Sequence, residues 1–277
     1  MILRWQLDPV LIGTLLIAAT GYFLATVPLR KYLAPNEPFP KKHALLFYSA
    51  LTVLYLAEGS PLHDLASYYL LSAHMLQHLL ISYLAAPLII WGMPSWLFEA
   101  ILLHPKVKPL ARFLTRPFVA AFVFSFFFSV WHFPIFYDGA LQNSFVHHSE
   151  HLVFLSISIL VWWPVMSPLN ALPPLHFGSR ILYLFLLPLI QTVVFAFITF
   201  APHAIYATYG HMPTRVWGIA VVNDQALAGL VMKAGGLIVF GGAMIVTILR
   251  WAYKEGQAGA MPSPNRQGKQ KMQGLKP

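Results

Sequence analysis

The chain contains no cysteine in 277 residues, which removes structural disulfides, thiolate metal sites, iron–sulfur clusters and thiol catalysis together. Any metal held by side chains must therefore use His, carboxylate or Met. Charge is scarce as well: Asp, Glu, Lys and Arg make up 10% of residues, far below the roughly 25% of soluble domains. With 58% hydrophobic residues and a mean hydropathy of +0.64, the apolar content exceeds what a soluble core absorbs. Acidic groups are the scarcest, nine against 18 Lys and Arg, for a net charge of +9. On a soluble face that excess would suggest nucleic acid. Here the cations collect between apolar runs and in the tail at Arg266, Lys269, Lys271 and Lys276, where they meet anionic lipid, so no nucleic-acid partner is expected.

Apolar runs near the ~20 residues that cross a bilayer recur along the chain. They cover residues 10–29, 43–57, 66–91, 117–133, 147–165, 181–200 and 219–251, the second being short for a span. The first lacks the basic flank and small-residue cleavage site of a signal peptide and is expected to remain as a helix. Pro-rich links at 34–40 and 172–174 stop helices. Arg30, Lys31, Lys41 and Lys42 fall in the first link, Lys106, Lys108, Arg112 and Arg116 in the third, Arg180 in the fifth, and Arg250 with Lys254 open the tail. The alternate links hold only Arg4 and Arg215. The positive-inside rule then predicts an all-α polytopic bundle of seven transmembrane helices, N-terminus outside and C-terminus cytoplasmic. Residues 1–255 form that domain and 256–277 a disordered basic tail. Gly229, Gly235, Gly236, Gly241 and Gly242 smooth the last helix for close packing.

This topology places His63, His74, His78, His132, His147, His148, His151, His203 and His211 on the outer side, leaving His43, His104 and His176 near the cytoplasm. Asp8, Glu58, Asp64, Asp138, Glu150 and Asp224 are outer too. In His74-Met75-Leu76-Gln77-His78 the two imidazoles sit four residues apart, on one helix face, and can turn on one metal. Two separately satisfied core histidines would read the same. His147-His148-Ser149-Glu150-His151 repeats the spacing and fits the inverted zinc-protease pattern, in which Glu150 would activate a metal-bound water. No partner motif supplies the rest of a protease site. Trp131 and His132 end the fourth run, where an interfacial helix end is an equal reading. Asp224 suits a helix-start charge, a ligand or, the reading favoured here, a partner of a histidine. Lys233 either snorkels or pairs with an acid. Imidazole, thioether and carboxylate donors suit copper, zinc or haem iron, and Met75, Met212 and Met232 tilt the set towards Cu(I), although each also suits ordinary packing.

The ordered motifs HMLQHLL, APLIIWGMP, SVWHFPIFYDGAL, HHSEHLVFLSISILVWWPV and NDQALAGLVMK resemble the CtaG family of caa3-type cytochrome c oxidase assembly factors, over about residues 71–236. The resemblance implies a seven-helix protein of the bacterial plasma membrane, not an enzyme, that works with oxidase subunits or other oxidase assembly factors in copper delivery or metal-centre maturation. The matching positions are His74, His78, Trp131, His132, His147, His151 and Asp224, whereas Lys233 stands where an aromatic residue is expected. The cysteine-dependent copper chaperone that shares the CtaG name is unrelated. The expected metal ligands are His74, His78, His132, His147 and His151, with Asp224, Glu150, Gln77, His148, Met75 and Trp131 around them and copper as the ion. A haem-carrying electron-transfer protein, an intramembrane zinc protease on His147, Glu150 and His151, and an ion transporter are the competing readings.

Overall fold

A computed structural model describes residues 4–211 and 216–260, so Met212, Arg215 and the tail cations lie outside the described residues. In chain order the main helices are α1 (Pro9–Thr26), α2 (Lys41–Glu58), α3 (Pro61–Tyr68), α4 (Leu71–Gly92), α5 (Lys108–Leu114) and α6 (Pro117–Trp131). They continue as α7 (Pro134–Gln142), α8 (Ser144–Met166), α9 (Phe177–Phe200) and α10 (Val221–Ala260). No strand occurs among the described residues. Helices α1, α4, α8, α9 and α10 are each long and apolar enough to cross a membrane. The pairs α2–α3 and α5–α6, bent by 45° and 72°, bring the number to seven if each pair is one span.

Local chemistry explains the bends. Ser60 accepts the Leu62 N–H and Pro61 sits at the first helical position of α3, so the chain restarts as a helix instead of continuing α2. The short second run is thereby lengthened by α3. The third run is split: residues 66–68 finish α3, and α4 begins only at Leu71. Within α4, Leu80–Ala85 widens into a π-helical stretch, and the Ser82 carbonyl there accepts the Trp162 indole N–H at 3.0 Å. Helices α1 and α8 have their own caps, Asp8 accepting from Val10 and Leu11 and Asn143 from Phe145 and Val146. α10 runs on through residues 256–260, beyond the apolar stretch.

The core lies between α4, α6, α8 and α10, around Phe124, Phe154, Trp162 and Phe240. Gly92 is needed where α4 meets α2, since a Cβ there would lie 2.5 Å from the Phe47 nitrogen. Of the α10 glycines, Gly229 abuts Thr199 and Gly235 abuts Leu79, while Gly241 and Gly242 have open space beside them. The packing role expected of that row thus belongs to its first members. The cationic segments fall at one end of the bundle and the histidine motifs at the other.

Candidate metal centre

Three helices deliver the imidazoles and a fourth holds one of them in place. The N-cap residue of α4, Leu70, has no side chain able to cap, and the first turn is instead completed by Asp224 of α10. Its carboxylate accepts the Leu71 N–H at 2.7 Å, the Ser72 N–H at 3.3 Å and the Ser72 hydroxyl at 2.5 Å. An acid at a helix start satisfies orphan donors and favours the dipole. Asp224 thus reaches the site through the backbone of α4, rather than by touching a histidine as favoured from sequence. His74 and His78 follow on the inner face of this turn, fully and nearly fully buried. From the capped start of α8, His147, Glu150 and His151 project on one face by their spacing of three and four, and His132 closes the end of α6.

The side chains converge. His74 Nε2 and His78 Nε2 are 2.9 Å apart, and Glu150 Oε1 lies 3.7 Å from the first and 3.3 Å from the second. One ligand atom from each of His74, His147, Glu150 and His151 falls within 4.8 Å of all the others. Ring centroids separate His147 from His151 by 4.6 Å, His74 from His147 by 5.5 Å and His78 from His132 by 6.0 Å. Of the five histidines expected as ligands, His74, His147 and His151 thus share one group with Glu150, and His78 and His132 adjoin it as ring neighbours.

Neighbours orient several rings. His151 Nδ1 lies 3.2 Å from a carboxylate oxygen of Glu58, and His132 Nδ1 lies 2.6 Å from the Phe128 carbonyl. A ring N–H donated to each oxygen leaves the opposite nitrogen, Nε2, with its lone pair free for the interior. Both Nε2 atoms are buried without a hydrogen-bond partner, as are His74 Nδ1, His78 Nδ1, His147 Nε2 and the two Glu150 oxygens. Glu58 and His63 were not among the expected site residues, yet His63 stacks on His147 at 5.4 Å. Gln77 donates to the Ala57 carbonyl at 2.6 Å and fixes α4 against α2. Met75 is fully buried, and Trp131 packs on the core with its indole nitrogen unpartnered. His148, next to His147 but turned off its face, binds the Ser144 carbonyl and lies 3.3 Å from Asp8. It belongs to the rim.

Two spaces adjoin the cluster. A polar cavity of about 400 Å³, open to the outside, reaches it from the histidine end, lined among others by Asp8, Glu58, His63, His147, His148 and His151. A second, small cavity is bordered by Met75, His78, His132 and Met232, among others. At the rim, burial would raise the Asp8 carboxyl, but the Leu11 N–H, His148 and the Val10 N–H outweigh it and hold the group below the usual carboxylate range. Burial pushes the Tyr206 hydroxyl far up, and it donates to the His132 carbonyl at 2.9 Å. Tyr137 covers His74 at 4.9 Å and shares a 3.1 Å hydrogen bond with Tyr209. Lys233 neither snorkels nor meets an acid: it donates to the Pro188 carbonyl and to Thr192, on either side of the break at Gln191 in α9. His203 and His211 are exposed and take no part.

Glu150 is completely buried, and neither Lys nor Arg pairs with it among the described residues. An uncompensated carboxylate at that depth is costly, and so are unpaired imidazole nitrogens. A cation among them answers both problems at once. The donor set is that of a borderline metal ion, and the 4.8 Å spread closes on one ion with side-chain movement of about an ångström. Fold and site thus define a multi-pass helical membrane protein with a buried His/Glu group able to hold metal. The sequence model of the cytochrome c oxidase caa3 assembly factor family, Caa3_CtaG, matches residues 20–254, and the chain belongs to that family. No curated protein and no solved structure matches it.

Proposed function

We propose that this caa3 oxidase assembly factor works by holding copper in the His/Glu cluster and passing it to an oxidase subunit or another assembly factor, without catalysing a reaction. The observation that carries the reading is the fully buried Glu150 set among imidazoles with buried, unpartnered ring nitrogens. His74, His147, Glu150 and His151 would hold the ion, His78 and His132 flank them, and Glu58 orients His151. Copper is cargo in this scheme. Imidazole and carboxylate exchange more readily than a closed thiolate cage, as release requires. With the cations facing the cytoplasm, the cluster and its open cavity face outward from a bacterial plasma membrane, the side on which an oxidase would receive copper.

The competing chemistries fit less well. Glu150 does not line the open cavity, so as a general base it would have neither water nor peptide within reach. Ring centroids of 4.5–6.0 Å between neighbouring histidines leave no slot for a porphyrin. Copper analysis of the purified chain, beside His74→Ala/His78→Ala, tests the proposal. Copper should be bound by the native chain and lost from the double variant, with caa3 oxidase activity falling in cells that carry it. Full occupancy in the variant would overturn the ligand assignment.

A further inference from the structure

Below the cluster, one helical turn further from the open cavity, stands a second group of donors that the first ion would not use. Met75 and His78 of α4, His132 at the end of α6 and Met232 of α10 border one small cavity, with Phe128 and Phe154 among its other walls. All four are buried. His132 Nε2, its lone pair left free by the bond at Nδ1, finds no partner, and neither does His78 Nδ1. Packing alone explains buried methionines, but it leaves two imidazoles beside this space with unmet nitrogens.

The chemistry of this group differs from that of the cluster above it. Glu150 does not border the cavity, and two thioethers do. Thioether sulfur is soft and selects Cu(I), whereas a mixed imidazole–carboxylate set accepts Zn(II) and copper alike. We infer that Met75, His78, His132 and Met232 form a second, Cu(I)-selective site, deeper than the His74–His147–Glu150–His151 group. The two sites meet at His78, whose Nε2 lies beside Glu150 while its ring borders the inner cavity. Neighbouring rings run from His63 in the open cavity through His147, His74 and His78 to His132, with centroid spacings of 5.4, 5.5, 4.5 and 6.0 Å. An ion can be handed from one imidazole to the next along that row.

The inference rests on reading the cluster as a metal centre, and its test separates the two. The full chain in detergent is titrated anaerobically with Cu(I) and, separately, with Zn(II), and copper absorption spectra are examined for sulfur neighbours. Two Cu(I) but one Zn(II) per chain are expected, with copper–sulfur scattering. In Met75→Leu/Met232→Leu, a swap that conserves volume, one Cu(I) and the sulfur signal should vanish while the single Zn(II) stays. One Cu(I) without sulfur in the native chain, or two Cu(I) retained in the variant, would refute the inner site and leave the cluster standing. Neither metal binding to the native chain would remove both.

Discussion

Helices α1 and α4 are both apolar spans of similar hydropathy, 1.7 and 1.5, yet 61% of the apolar stretch of α4 is buried by protein against 17% of that of α1. α8, the other helix with paired histidines, resembles α4 at 56%. Most of the clustered histidines and Glu150 sit on these two helices, whereas α1 carries no His, Asp, Glu, Lys or Arg. Hydropathy makes α1 and α4 look alike, because lipid and protein interior are equally apolar. What separates them is the polar residue repeated at helical spacing, which only a protein-lined interior tolerates.

The contrast can be broken by mutation. The largest effect is expected at the centre: Trp162→Ala on α8 removes a side chain that is 2% exposed and bonded to Ser82, and should cost roughly 3–5 kcal/mol in detergent unfolding. A loss below 1 kcal/mol would mean that the bundle does not pack on α8. Next comes Asp224→Ala, which strips the acceptor from the start of α4, with an expected loss of about 2 kcal/mol and weaker metal binding; Asp224→Asn should restore much of both. Unchanged metal affinity in the alanine variant would disconnect the cap from the cluster. A smaller loss, about 1 kcal/mol, is expected for Asp8→Ala, the corresponding cap on α1. Because the folded-state Asp8 carboxyl is held low, its contribution is complete above the ordinary carboxylate value near pH ~4 and fades as pH falls through the lowered one. A melting temperature that drops on acidification equally in native and Asp8→Ala proteins would assign the effect elsewhere.

Much of the fold was readable from apolar runs and Pro-rich links, since spanning helices need little beyond length. The bends were not. They depend on Ser60 and Pro61 restarting a helix, and on a break after Tyr68 that lies inside a continuous apolar run. Of the site, His74 with His78 and His147 with His151 were legible because spacing of four places them on one face. Helix geometry also separates His148 from its neighbour, since adjacent residues do not share a face. Glu58 and His63 carried no such pattern: each is a single polar residue near the junction of α2 and α3, and only the bend brings them to α8. Asp224 was recognised as important but assigned to the wrong neighbour, because a carboxylate's target across 153 residues of chain is invisible in one sequence.

That carboxylate has a mechanical consequence. The first turn of α4 is finished by a side chain rooted in α10, so the two helices share a joint at the histidine end. α4 cannot tip there without dragging the start of α10 or losing its cap. Just ahead of α10, Trp217 stands 75% exposed in a left-handed backbone turn, a handle at the surface. A load applied at that handle would travel through one carboxylate to the turn that aims His74.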